Sequence, residues 1–173
     1  MGKYDKAEEV YIEIMNVQPL GYYIGEYAIF LHRRKRDFDQ AQSFYLKALQ
    51  HWPEQASIHL KYAGFLRHVK RDVSGAEHHY KKSVEINPKN ADALGNYASF
   101  LHGVYNNTTQ AEKYYKQAVK LDDTHTNNLC NYGLFLSEER REFKEAEQMY
   151  QRALEVENVP YFIVYFAYYF KER

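Results

Sequence analysis

Aromatic and small residues recur along the chain in two alternating blocks. Tyr27-Ala28-Ile29-Phe30-Leu31 returns as Tyr62-Ala63-Gly64-Phe65-Leu66, as Tyr97-Ala98-Ser99-Phe100-Leu101 and as Tyr132-Gly133-Leu134-Phe135-Leu136. The differences 62 − 27, 97 − 62 and 132 − 97 all equal 35. Between these blocks, Ala41, Ala76, Ala111 and Ala146 each stand four residues before a tyrosine (Tyr45, Tyr80, Tyr115, Tyr150) and seven before a second small residue (Ala48, Ser83, Ala118, Ala153). Positions four and seven apart share one face of an α-helix. The second block therefore predicts a helix whose small-aromatic-small stripe packs closely on a neighbour. Each period reads as two amphipathic helices, an A helix around the Tyr-Ala-x-Phe-Leu block and a B helix around the Ala-x3-Tyr stripe.

The breaks agree with that reading. Units close at Trp52-Pro53 and Asn87-Pro88, where proline disfavours helix in the residue before it, and at Asp122-Asp123 and Glu157-Asn158-Val159-Pro160. Asp37, Ser74 and Thr108 or Thr109 are the expected N-caps of the B helices.

This arrangement resembles the tetratricopeptide repeat family, whose helix-turn-helix units run to about 34 residues. On that resemblance Ala28, Ala63, Ala98, Gly133 and Ala167 occupy the small A-helix position, and Ala41, Ala76, Ala111 and Ala146 the first small B-helix position. Pro19, Pro53 and Pro88 stand at the closing proline, with Asp123 and Asn158 there in later units. The extra residue in each unit is most simply placed in the turn between helices. The resemblance implies an all-α fold, a right-handed superhelical solenoid of antiparallel helix pairs. It is a single array over 1–173, with a half unit at 3–19 (B helix), units at 21–54, 55–89, 90–124 and 125–159, and a half unit at 160–173 (A helix).

A step of 35 is also the period of pentatricopeptide RNA readers, and half-a-TPR scaffolds of RNA processing carry similar Tyr-Ala-x-Phe blocks. The Ala-x3-Tyr-x2-Ala stripe favours the tetratricopeptide type, and Leu follows the Phe where half-a-TPR repeats carry an acid. An RNA-binding or RNA-processing scaffold stays an alternative, as does a structural segment of a larger assembly.

In the tetratricopeptide family the A helices line a concave groove that holds protein ligands. The resemblance places Lys61, Arg67, Asn96, Ser99, His102, Asn127 and Asn131 in that groove. Asn96 and Asn131 resemble steps of an asparagine ladder, and a carboxamide offers both donor and acceptor to a peptide backbone. The carboxylate clamp that grips chaperone C-termini is incomplete, with Gly64 beside Lys61 and with Asn127 and Asn131 where Lys and Arg would stand. The expected function is a non-enzymatic protein-interaction scaffold holding a peptide or helix. The four B-helix tyrosines are expected in the core rather than as a stacking ladder for bases.

Charge changes this picture in one respect. Lys plus Arg and Asp plus Glu each total 23, so the net charge is zero and no global field draws nucleic acid. Residues 31–71 nevertheless hold nine Lys or Arg against three acids, while 138–157 hold four against seven. Arg33, Arg34, Lys35, Arg36, Lys70 and Arg71 should form a basic edge at the inter-helix turns.

Eight histidines raise the question of a metal. His78 and His79 are adjacent on a helix and diverge by about 100°, and His32 lies two units from His102, so no metal site is expected. Cys130 is placed near the groove without a base beside it, and no nucleophile or phosphate-loop motif appears. No catalytic residue and no cofactor is expected. No apolar run reaches the roughly 20 residues of a membrane span, and the first residues lead directly into a charged helical pattern rather than a signal peptide. An intracellular, cytoplasmic chain without membrane contact is the expectation. The run Tyr161–Phe170 holds no charge. With Phe162, Phe166 and Phe170 as anchors, it suggests head-to-tail self-association through the terminal half units.

Overall fold

Each period folds as two helices, and the reason lies in where small and aromatic residues meet. The computed structural model describes residues 4–18 and 21–156, and the chain separates into two units, residues 1–87 and 88–173. The first contains α1 (Asp5–Val17), α2 (Gly21–Phe30), α3 (Phe38–His51), α4 (Ala56–Phe65) and α5 (Val73–Ile86). The second contains α6 (Ala91–Tyr105), α7 (Thr108–Leu121), α8 (Thr126–Phe135) and α9 (Phe143–Val156). Within the units α2 packs on α3, α4 on α5, α6 on α7 and α8 on α9, and no strand occurs among the described residues.

The B-helix stripe is the core of every hairpin. Ala41, Ala76, Ala111 and Ala146 are fully buried, and Tyr45, Tyr80, Tyr115 and Tyr150 are nearly so. Alanine lets the helix backbones approach, and the tyrosine one turn later fills the space that approach defines. In the first unit the ring of Tyr45 lies 5.2 Å from that of Tyr62, and in the second Tyr115 stacks on Tyr132 at 5.8 Å. Ser83 replaces alanine on the stripe of α5, and its buried hydroxyl donates to the Ala56 carbonyl at 2.8 Å. A polar group buried there carries its own partner.

The extra residue of each period does not sit in a loop, as the sequence suggests. In three hairpins the end of the A helix widens into a π-helical turn, at Leu31–Lys35, Leu66–Lys70 and Leu136–Arg140. In the third hairpin α6 itself continues to Tyr105. The next residue is left-handed in all four: Arg36 (φ 59°), Arg71 (58°), Asn106 (51°) and Arg141 (56°). The residue after that sends its N–H six positions back, Asp37 to Leu31 at 3.1 Å and Asp72 to Leu66, Asn107 to Leu101 and Glu142 to Leu136 at 3.0 Å. A wide turn absorbs one residue while still satisfying terminal carbonyls.

That geometry also decides the caps. Asp37 accepts from the Gln40 N–H at 3.1 Å, as expected. In the next two hairpins the caps are Asp72, accepting from Gly75 N–H at 2.9 Å, and Asn107, accepting from Gln110 N–H at 3.1 Å. Ser74 lies inside α5 and donates its hydroxyl to Asp72, and Thr108 and Thr109 begin α7. The cap must directly follow the left-handed residue, so it recurs at 37, 72 and 107. The Gly75 N–H and the Ser74 hydroxyl together hold the Asp72 carboxyl below the usual carboxylate range.

Arginine at a left-handed position carries a Cβ clash that glycine escapes. Arg71→Gly should therefore raise stability by about 0.5 kcal/mol, after the greater freedom of glycine in the unfolded chain offsets part of the gain. A urea midpoint that falls in Arg71→Gly would show that the arginine side chain contributes more than its backbone costs.

Candidate peptide-binding face and basic edge

The stripe of each B helix is consumed by packing, which leaves polar residues of the A helices accessible. On α6, Asn96, Ser99 and His102 recur every three residues, and all are half-buried. Asn96 is not a free carboxamide. Its Nδ2 donates to the Asp92 carbonyl at 2.7 Å and to Asp92 Oδ1 at 2.6 Å, so both amide protons are used and the carboxamide oxygen is left over. His102 Nε2 lies 3.2 Å from Glu139 Oε1, and its ring stands edge-on to Phe135 at 5.2 Å. On α8, Asn127 is exposed and Asn131 half-buried. In the first unit, Lys61 on α4 and Arg67 in the following turn are half-buried.

Beside the expected asparagines, the structure adds one whose role the sequence pattern hides. Asn128 is 1% exposed and donates Nδ2 to the Ala91 carbonyl at 2.8 Å, joining α8 to the start of α6. Its own N–H points at Nδ1 of His125, 3.3 Å away, and His125 Nε2 faces Asp92 Oδ1 at 3.8 Å. Asn96, Asp92, His125 and Asn128 thus form a polar relay between two A helices. The signal available in the sequence was the glycine at 95, which makes room for this side chain.

The histidines separate as their spacing requires, except for a pair formed between helices. His59 on α4 is buried and its Nδ1 lies 2.8 Å from Nδ1 of His79 on α5. His59 Nε2 meets the Pro53 carbonyl at 2.8 Å. A carbonyl only accepts, so His59 carries its proton on Nε2 and takes a hydrogen bond from His79 through its bare Nδ1. Burial and the neighbouring His59 and His78 push His79 down to about 4, and burial also lowers His59. Both rings are neutral at pH 7. Among the described residues no group of three or more His, Cys, Asp or Glu side chains converges as a metal site would. Cys130 is buried rather than set beside a groove, and desolvation pushes its thiol up to about 12.

The basic residues of the first unit do not all behave alike. Lys35 Nζ pairs with Glu8 at 2.6 Å and Lys70 Nζ with Asp39 at 2.9 Å. Arg33, Arg34, Arg36 and Arg71 are exposed. Phe162, Phe166 and Phe170, with the rest of the 160–173 half unit, Ala167, Asn158 and Pro19, lie outside the described residues. Among the described residues no helix is long and apolar enough to cross a membrane.

The comparisons with known proteins follow the same lines. A family model described as TmcB, TPR repeats, matches residues 73–128. No curated protein sequence matches the chain. Among solved structures, PilF of Pseudomonas aeruginosa is similar over 99% of this chain and 79% of its own, at 18% identity and a TM-score of 0.79. Yeast Tom70 is similar over 98% of this chain at 17% identity and a TM-score of 0.80, the match spanning 37% of the Tom70 chain. TTC0263, a thermophilic TPR protein of Thermus thermophilus, is similar over 88% of this chain and 82% of its own, at 16% identity and a TM-score of 0.73. At such identities the likeness is one of fold, and together with the matched repeat segment it agrees with the 35-residue helix pairs and their Ala-x3-Tyr stripes. Residues 73–128 match a model of tetratricopeptide repeats, and the described residues share the all-α helix-pair fold of these proteins.

Proposed function

We propose that this chain is a non-enzymatic protein-interaction scaffold that holds an extended peptide against its A helices. The observation that supports this most is the stripe of Asn96, Ser99 and His102 on α6, polar and accessible while the B-helix stripe is buried. Asp92 holds both amide protons of Asn96, so the Asn96 oxygen accepts a ligand N–H, whereas Asn131 offers donor and acceptor together. Backbone recognition of this kind is tolerant of ligand side chains and fits a scaffold. Asn127 contributes at the margin of the α8 face, and in the first unit Lys61 and Arg67 contribute on α4 and the turn that follows it.

The test is capture from the native cell with wild type and with Asn96→Ala, Asn131→Ala as bait, followed by titration of the protein that is lost. Neither position is in the core, so the double variant should fold, with a stability loss of about 1 kcal/mol from the Asn96–Asp92 hydrogen bonds. It should bind the captured ligand about tenfold more weakly, the equivalent of roughly 1.4 kcal/mol. Unchanged affinity in a folded double variant would remove the asparagines from the site.

A further inference from the structure

We propose that the turn edge of the first unit is a second docking cleft, for an acidic peptide segment that sets a carboxylate between Arg33 and Arg36 and an adjacent apolar side chain on Phe38 and Val69. Two adjoining hollows, about 580 and 240 Å³, open there and share Arg36, Phe38 and Val69 as walls. Their other cations and acids are already matched. Lys35 is held by Glu8 and Lys70 by Asp39, while Asp37 accepts from the backbone and side-chain amides of Gln40 at 3.1 and 2.8 Å. The exposed Arg33 and Arg36 are the positive charges left over, and the Arg36 guanidinium stands 5.8 Å over the Phe38 ring. An arginine stacked on an aromatic face keeps its in-plane donors for a carboxylate while its flat face stays covered.

The second unit supplies an internal comparison, because the repeat puts a different chemistry at the same places. Gly103 stands for Arg33, Asn106 for Arg36, Thr108 for Phe38 and Glu139 for Val69, each 70 residues further on. Neither the charge nor the apolar floor is kept. Left-handed arginine is common to three hairpins, so the surroundings of Arg36 distinguish this cleft rather than its backbone. Nucleic acid suits it less well than peptide. A phosphate backbone needs a row of unmatched cations, whereas this cleft offers two, with the carboxylates of Asp37 and Asp39 in its wall.

The probe is a fluorescein-labelled peptide, Gly-Ser-Glu-Leu-Glu-Leu-Gly-Ser, titrated into the full chain by anisotropy and by amide NMR. Binding should perturb amides of 32–39 and 67–71. It should weaken at least tenfold in Arg33→Ser, Arg36→Asn, a variant that keeps a residue tolerant of the left-handed backbone. Replacing both glutamates of the peptide by glutamine should weaken it similarly, and Asn96→Ala, Asn131→Ala should leave it unchanged, since those residues belong to the second unit. Equal affinity for the glutamine peptide, unchanged affinity in the arginine variant, or tighter binding of an oligouridylate of the same length would overturn the proposal.

Discussion

Gly95→Ala should destabilise the protein by about 2–3 kcal/mol, although alanine is the better helix former by about 1 kcal/mol. A Cβ at position 95 would lie 1.9 Å from Asn128 Oδ1 and 2.6 Å from its Cγ. Asn128 cannot swing aside, because it is buried and its Nδ2 is bonded to the Ala91 carbonyl. Either that bond breaks inside the core or the two A helices separate, and both outcomes cost more than the propensity gain. Asn128→Ala alone should cost about 1–2 kcal/mol through the lost hydrogen bond and the space it leaves. With both substitutions the clashing atoms are gone. The double variant should therefore be at least about 1 kcal/mol more stable than the sum of the single effects implies. Urea unfolding of the four proteins measures the cycle; strict additivity, or a neutral Gly95→Ala, would mean that Asn128 is not wedged between the helices. The first unit repeats the arrangement more loosely, with Ile58 carbons 3.0 Å from where a Cβ on Gly25 would be.

Acidification should weaken the first unit through its histidine pair. Folded His79 has its pKa pushed down to about 4, first by burial and then by His59 and His78, while Asp72 opposes the shift. His59 is lowered by burial, with Lys82 and His78 acting in the same direction and the Pro53 carbonyl and Glu54 against it. The unfolded chain titrates near 6.5 and so binds more protons than the folded one below that pH. The stabilisation is complete above about 6.5 and is lost as pH falls towards about 4. If the whole shift of His79 survived, the loss would reach about 3 kcal/mol; partial solvent access and screening bring the expectation to about 1–2 kcal/mol. The other hairpins place apolar and aromatic residues at these positions, Ile24 with Phe44, Leu94 with Tyr114 and Leu129 with Met149. His59→Leu, His79→Tyr copies the third hairpin and should remove this part of the slope while leaving the carboxylate titrations in place. Parallel stability curves for wild type and double variant between about pH 7.5 and 5 would dismiss the pair as a source of pH dependence.

The two proposed sites differ in how much of them the sequence disclosed. Asn96, Ser99 and His102 follow from helical spacing once the A helix is recognised, and they share an accessible face of α6. The partner of Asn96 is also local, since Asp92 lies one turn back. The basic edge was visible as the run Arg33–Arg36, but which of its charges are matched depended on Glu8 and Asp39, 27 and 31 residues away from the lysines they hold. His59 and His79 meet across 20 residues, and Asn128 reaches Ala91 across 37.

The same division runs through the fold. By itself the sequence determined the 35-residue period, the two helices in each repeat and the buried stripe from Ala41 to Ala153, because a helix face is set by covalent geometry at 3.6 residues per turn. It also marked Asp37 as a cap. Only the tertiary structure decided that the extra residue is wound into a π-helical turn in three of the hairpins, that Asp72 and Asn107 cap rather than Ser74 or Thr108, and that Asn128 is wedged against Gly95 while Asn127 stays in solvent. These outcomes depend on how far one helix slides and rotates against the next. That register is settled by the packing of many side chains at once, and a shift of one residue would turn a different side chain towards the core.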